Sequence, residues 1–80
     1  MVEQINHADF EQRLRTAARN KFRFYYMAAD ACGLPHGTFE GYLHRGEFPS
    51  AVSLVRISEG LGVSIDWLLT GTAPSLRVPS

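Results

Sequence analysis

The segment from Ala29 to Leu43 constrains the fold of this chain more than any other feature. Gly33 can adopt the positive φ of a left-handed cap and so end a helix. The small side chain of Ala29, four residues earlier, lets a second helix cross the first closely. Leu34 then supplies an apolar side chain at the joint. This segment therefore predicts two short helices joined by a sharp turn, which is the geometry of a helix-turn-helix.

The second helix of this pair is predicted to be amphipathic. Phe39, Tyr42 and Leu43 recur at i, i+3 and i+4 and predict one buried stripe. The opposite face carries His36, Gly37, Glu40, Gly41 and His44. Each glycine costs about 1 kcal/mol relative to alanine inside a helix, so the pair indicates either close approach of the backbone to a partner or a marginal helix. Proteins that read DNA insert a helix presented in this way into the major groove.

Glycines and helix caps divide the chain into five short helices. The glycines at predicted helix ends are Gly33, Gly46, Gly62 and Gly71. The predicted helices are 7–19, 24–32, a third from Pro35 or His36 to Gly46, a fourth from its Ser50 cap to Gly62, and a fifth from its Ser64 cap to Gly71. Asn6 is the predicted cap of the first helix. The sequence thus predicts an all-α domain at residues 1–71.

The last nine residues, 72–80, contain two prolines and no apolar period. They are predicted to be a flexible tail or the start of a linker. One cysteine, Cys32, excludes an internal disulfide and favours a reducing, cytoplasmic location. No apolar run approaches the ~20 residues needed to span a bilayer, so no membrane partner is expected.

The distribution of charge is more informative than its total. The chain has 8 basic and 8 acidic residues among 80, and this neutral balance argues weakly against binding to nucleic acid. Five of the basic residues, however, lie between positions 13 and 23 with no acid among them. This run predicts contacts with an anionic partner next to the helix-turn-helix, although a solvated charged face is the plainer alternative.

Four short motifs occur together at the ends of the predicted helices. They are the turn Gly33–Leu34, Thr38 early in helix three, Pro49–Ser50 before helix four, and Leu61–Gly71, which has the form Leu-Gly-Val-Ser-x-Asp-Trp-Leu-Leu-x-Gly. The combination covers about residues 8–71 and resembles the lambda-repressor-like, Xre-type DNA-binding domains, most closely their phage-repressor branch. The resemblance implies a compact five-helix fold with the helix-turn-helix at helices two and three. It also implies a bacterial or phage-encoded repressor, associated with the nucleoid, that binds operator DNA as a dimer.

The resemblance makes the outward face of helix three the surface that reads DNA bases. The predicted base contacts are His36, Gly37, Thr38, Glu40, Gly41 and His44. A glutamate carboxylate can accept a hydrogen bond from cytosine N4, and histidine or threonine can bond purine edges. An ordinary solvated helix face remains the alternative interpretation of these residues.

Phosphate contacts are predicted at the start of helix two. Arg13, Lys21 and Arg23 are expected to flank its N-terminus, where backbone N–H groups favour anions. Tyr25 stands where the family often has a glutamine that contacts the DNA backbone, and its hydroxyl can still bond a phosphate. Arg45, at the end of helix three, is a further predicted phosphate contact.

The remaining aromatic residues are expected to lie mostly in the core. The cluster comprises Phe22, Phe24, Tyr25 and Tyr26. Trp67 is followed directly by Leu68 and Leu69, and one face of a helix cannot bury all three. We expect the two leucines to turn inward and Trp67 to stay partly at the surface, where it is the candidate dimer interface.

No residue set predicts an enzyme or a metal site. His36 and His44 lie about 12 Å apart along a helix axis, whereas zinc ligands lie within ~2.3 Å of the metal. The expected partner is a palindromic operator in double-stranded DNA, bound by a homodimer that is weak off DNA, with no cofactor and no small-molecule substrate. A protein-interaction module on the same scaffold, antitoxin-like, is the alternative, and Glu40 and the glycines of helix three favour it.

Overall fold

The structure, a computed structural model, describes residues 6–72, and these residues form five α-helices without a strand. The helices are α1 (His7–Lys21), α2 (Tyr25–Cys32), α3 (His36–His44), α4 (Ala51–Leu61) and α5 (Ile65–Thr70). This arrangement confirms the predicted all-α fold with the helix-turn-helix at α2 and α3. Helix α1 continues two residues beyond its predicted end at position 19. The predicted tail falls on residues 72–80, of which 73–80 lie outside the described residues.

Three of the helices begin with a side-chain cap, and in each the capping residue is the predicted one. Asn6 Oδ1 accepts hydrogen bonds from the backbone N–H groups of Ala8, at 2.9 Å, and Asp9, at 3.3 Å. Ser50 Oγ accepts from the Ser53 N–H at 3.2 Å, and Ser64 Oγ accepts in the same way at the start of α5. These oxygens satisfy N–H groups that have no partner within the helix.

The turn between α2 and α3 has the predicted geometry. Gly33 has φ of 68° in the left-handed region, and its N–H donates to the Asp30 carbonyl at 3.1 Å. The Leu34 N–H donates to the Ala29 carbonyl at 3.0 Å, which closes the end of α2. Leu34 is buried. The other helix ends marked by glycine in the sequence, Gly46, Gly62 and Gly71, also have positive φ.

Four of the helices each contribute at least one large, fully buried side chain to the core. Leu14 of α1, Leu43 of α3, Ile57 of α4 and Leu68 of α5 are completely shielded from solvent. Helix α2 contributes small side chains instead, and its close neighbour is α4. A Cβ added to Gly60 of α4 would lie 2.8 Å from the Ala31 carbonyl oxygen and 2.7 Å from Cys32 Sγ. Small residues at this crossing therefore let the two helices approach closely.

Two expectations about burial need correction. Phe24 and Tyr26, expected in the core, are 47% and 50% exposed, because Phe24 precedes α2 and Tyr26 lies on the side of α2 opposite Ala28. Val52 of α4 is likewise exposed, at 64%. The buried residues of α4 are Ile57, Ser58 and Leu61 in its C-terminal part, and Leu54 packs partly buried against the core. Within residues 6–72, no helix has both the length and the apolar character to cross a membrane.

Candidate nucleic-acid interface

Two side chains of α1 hold the C-terminal end of α3. The Arg15 guanidinium donates to the Leu43 carbonyl at 2.6 Å. The Glu11 carboxylate accepts from the Gly46 N–H at 2.8 Å, and these two side chains lie 3.9 Å apart as an ion pair. The last carbonyls of a helix lack partners within it, so Arg15 stabilises this end directly. Helix α3 is therefore held against α1 with its other side open.

A crevice between α2 and α3 is lined by aromatic rings, a histidine and a carboxylate. Its volume is about 370 Å³. The lining residues are Phe24, Tyr25, Tyr26, His36 and Glu40. The rings of Tyr26 and His36 lie 5.9 Å apart, and those of Tyr25 and His44 lie 5.6 Å apart, measured between centroids. We call this region the α2–α3 crevice. It brings three of the predicted base-contacting residues, His36, Glu40 and His44, beside the start of α2.

His36 is also linked to α2 by a polar contact. Its Nε2 lies 2.8 Å from Asp30 Oδ1, and both side chains are exposed. The contact is an ion pair when the ring is protonated and a hydrogen bond when the neutral ring carries its proton on Nε2. This contact links the start of α3 to α2 beside the crevice.

The N-terminus of α2 has the features of an anion site. Its first turn carries no acidic residue, and none of the described side chains caps it. Two guanidinium groups lie close by, Arg19 at 5.6 Å from the centroid of the Tyr25 ring and Arg23 at 5.5 Å from that of Phe24. Free N–H groups, the positive end of the helix dipole and nearby cations together favour a phosphate at this position.

The centre of the outward face of α3 is formed by its two glycines. Gly37 is exposed, and a Cβ there would have no neighbour within 4 Å. Gly41 is buried, because the side chains of Arg45 and Glu47 cover it. The Arg45 guanidinium donates to the Gly37 carbonyl at 2.8 Å and lies 3.6 Å from the Glu47 carboxylate.

Residues 19–75 match the family described as the bacteriophage CI repressor helix-turn-helix domain. The chain belongs to this family. No curated protein and no solved structure matches the chain. The family match covers more than half of the chain and includes the whole helix-turn-helix, so this CI repressor domain is a DNA-binding regulatory domain of the repressor type.

The structure corrects the expected placement of two cations of this CI repressor domain. Arg13 does not flank α2, because its guanidinium donates to the carbonyls of Leu68, at 2.8 Å, and Leu69, at 3.0 Å. Lys21 Nζ lies 3.4 Å from the Gly60 carbonyl near the end of α4. Both cations satisfy carbonyls at helix C-termini, where the helix dipole is negative. Of the three cations expected around the start of α2, Arg23 is the one that the structure places there.

The remaining predicted residues are divided between the crevice and other surfaces. Thr38 is half-buried and lies on the flank of α3 away from Glu40. Gly41 is covered by its own chain, which removes the expected access of a partner to its backbone. Trp67 is half-buried and packs against the core, whereas Leu68 is fully buried. The Trp67 side chain lies beside Arg13 and Ala17 of α1, and part of it remains exposed to solvent.

Sequence reasoning missed four residues of this interface. The exposed rings of Phe24 and Tyr26 line the crevice, although a core position was expected for both. Arg19 belonged to the basic run but was not assigned a contact, and Glu47 was assigned no contact either. The place of Arg19 in the last turn of α1, shortly before the start of α2, could have indicated it. No local signal indicates that Glu47 folds back over Gly41.

Proposed function

We propose that this domain binds an operator sequence and represses transcription by occupying it, with α3 in the major groove. The α2–α3 crevice is the observation that carries this proposal. It joins the polar side chains of α3, which suit base edges, to the uncapped N-terminus of α2, which suits a phosphate. A DNA strand that runs past the start of α2 presents its phosphates to α2 and its base edges to α3.

The proposed base contacts are His36, Glu40 and His44, with Thr38 at the flank. Glu40 is exposed in the crevice, and its carboxylate repels phosphates. It is therefore best placed over the groove floor, where it can accept a hydrogen bond from cytosine N4. The two histidines can donate to or accept from purine edges. Glu40 thus favours a cytosine within each half-site.

The proposed phosphate contacts are Arg19, Arg23 and Tyr25 with the N–H groups of the first turn of α2. The two guanidinium groups lie over aromatic rings at the edge of the crevice, and both arginines are exposed. This local concentration of positive charge supports binding to DNA in a chain whose net charge is zero. Arg13 and Lys21 are left out of this set because they bond to carbonyls of the fold.

Selection of bound duplexes from a random pool tests the proposal. We expect enrichment of a palindrome with a cytosine at one position of each half-site. Glu40→Gln should change the preferred base at that position at a cost of roughly 1–3 kcal/mol against the best site. Glu59→Gln is the matched control, because it removes the same charge from an exposed residue of α4 outside the crevice. It should select the wild-type sequence.

Two outcomes of the selection would contradict the proposal. Recovery of no duplex, from a pool incubated at low salt with protein shown to be folded, would exclude DNA binding and support the protein-interaction alternative. Recovery of duplexes without any shared sequence would leave a non-specific DNA-binding protein. In that case affinity would still fall with salt, because phosphate contacts release counterions.

A further inference from the structure

Gly41 is buried although it lies on the face of α3 that points away from the core. Phe39, Tyr42 and Leu43 define the core side of the helix. At about 100° per residue, Gly37 and Gly41 both fall on the opposite side. The groups that cover Gly41 are the side chains of Arg45 and Glu47, which follow α3 directly.

Arg45 lies in the shallow trough that the two glycines leave on α3. Its Nη2 reaches back eight residues to donate to the Gly37 carbonyl at 2.8 Å. The same Nη2 would lie 3.0 Å from a Cβ at position 41. A larger side chain at position 41 would fill part of this space. The charged end of Arg45 therefore lies at the middle of the outward face and not beyond the end of the helix.

We propose that Arg45 reads a guanine in the major groove and that Glu47 positions it. The inference rests on the proposed function, because it needs α3 in the groove. It replaces the phosphate contact that the sequence suggested for Arg45. A guanidinium has five N–H donors, and its bond to Gly37 uses one. Enough donors remain on the two terminal nitrogens to bond guanine O6 and N7 together, which is the commonest specific contact of arginine with DNA.

The position of Glu47 supports a base contact over a phosphate contact. Its Oε2 lies 3.6 Å from Arg45 Nε. A phosphate brought to this guanidinium would also approach the Glu47 carboxylate, and the two negative charges would repel each other. A guanine edge carries no net charge and meets no such repulsion. Glu47 also limits the rotation of the guanidinium, so less side-chain entropy is lost when Arg45 meets a base.

The test compares Arg45 variants with an Arg23 variant on the duplex that the wild-type domain selects from a random pool. Wild type should bind about 5- to 150-fold better to guanine than to the other bases at one position per half-site. Replacement of that guanine by 7-deazaguanine, which lacks N7, should weaken binding by the wild type and not by Arg45→Ala. Arg45→Lys should weaken the guanine preference, because lysine lacks the planar fork of donors, and should keep the slope of log affinity against log salt, because it retains the charge.

The Arg23→Ala control should behave in the opposite way. It should weaken binding alike on all duplexes and reduce the magnitude of the salt slope by roughly 1. If Arg45→Ala shows this uniform loss, Arg45 is a phosphate contact and the inference is overturned. If the pool yields a shared sequence with no position where Arg45→Ala alters base preference, the inference alone fails. If no duplex is recovered, the proposed function fails and the inference with it.

The positioning role of Glu47 has a separate readout. Glu47→Gln should lower the guanine preference severalfold while the midpoint of thermal unfolding stays close to that of wild type, since exposed ion pairs stabilise a fold little. Gly41→Ala places a methyl group where the Glu47 carboxylate lies, and it should reduce the same preference. Unchanged guanine preference in both variants would show that Glu47 does not position Arg45.

Discussion

At the residue scale, the glycines of the described helices differ in what a methyl group would meet. Gly37→Ala enters open space and keeps the carbonyl that accepts from Arg45. We expect it to raise the free energy of unfolding by up to about 1 kcal/mol, because alanine has less freedom to lose in a helix. Gly60→Ala would bring its methyl within 2.8 Å of the backbone of α2. Backbone atoms cannot rotate away as a side chain can, so we expect the free energy of unfolding to fall by roughly 1–3 kcal/mol.

Urea unfolding of the two variants measures this difference directly. The substitution is the same in both, and both residues lie in helices, so intrinsic helix propensity contributes with the same sign. A Gly60→Ala variant at least as stable as wild type would show that α2 and α4 do not approach as closely as the structure has them.

Cys32 makes stability depend on pH in the alkaline range. Burial raises the pKa of its thiol from 9.0 to about 11, and the positive charge of Lys21 offsets part of this shift. The folded state therefore prefers the protonated thiol. This contribution is complete below the unfolded pKa near 9.0 and is lost as the pH rises through about 11. Titration of Cys32 should thus lower the free energy of unfolding across this range.

A comparison with Cys32→Ala separates the contribution of the thiol to stability from that of other groups that titrate in the same pH range. Wild type should lose more stability than Cys32→Ala between pH 9.0 and about 11 when both are unfolded with urea. The alanine variant should be less stable overall, because it leaves a small cavity. Parallel pH profiles for the two proteins would mean that the thiol is not shielded from solvent in the folded state.

At the scale of the helices, the cations of α1 and of the loop after it differ in role: some stabilise the fold and others are proposed to contact DNA. Arg13 closes the C-terminal end of α5 through two carbonyls. Arg13→Met should lower the free energy of unfolding by roughly 1–3 kcal/mol, because the bonds from a charged donor to two carbonyls are lost. Once temperature is low enough for the variant to stay folded, its salt slope for DNA binding should equal that of wild type.

Arg23→Met is the matched variant for this prediction. Arg23 is exposed and lies over the Phe24 ring at the edge of the α2–α3 crevice. Its replacement should leave the free energy of unfolding nearly unchanged and reduce the magnitude of the salt slope by roughly 1. Salt titrations of DNA affinity and urea unfolding separate the two roles. A smaller slope for folded Arg13→Met would return Arg13 to the set of phosphate contacts.

At the scale of the whole molecule, a single α3 covers few base pairs, so we expect two copies on a palindromic operator. The centres of the half-sites should lie about 34 Å apart, one turn of DNA. The proposed contact between copies includes the exposed edge of Trp67, which is only half-buried in the monomer. Sedimentation of the domain with a duplex that carries both half-sites should give a complex of two copies.

A duplex with one half-site is the control for assembly and should bind one copy. Cooperative binding to the full operator, with a free domain that sediments as a monomer, would indicate a dimer that forms mainly on DNA. A strictly one-to-one complex on the full operator, at protein concentrations well above the dissociation constant, would exclude the dimer.

The five helices and the helix-turn-helix could be predicted from the amino-acid sequence alone. Its signals for these features are local: side-chain caps at Asn6, Ser50 and Ser64, positive φ at glycines such as Gly33, and apolar stripes at helical spacing. Each depends on residues a few positions apart. The polar residues of α3 could be assigned to one face for the same reason.

The partners of the long charged side chains, by contrast, depend on how the helices pack. Arg13 bonds carbonyls 55 and 56 residues away along the chain, and Lys21 bonds one that is 39 residues away. An arginine or lysine head group on a flexible stem bonds unpaired carbonyls that packing brings within reach. The spacing of residues along the sequence does not indicate which helix ends will lie near which side chains. The burial of Gly41 under Arg45 and Glu47 could not be predicted for a related reason. It depends on the direction in which the chain leaves α3.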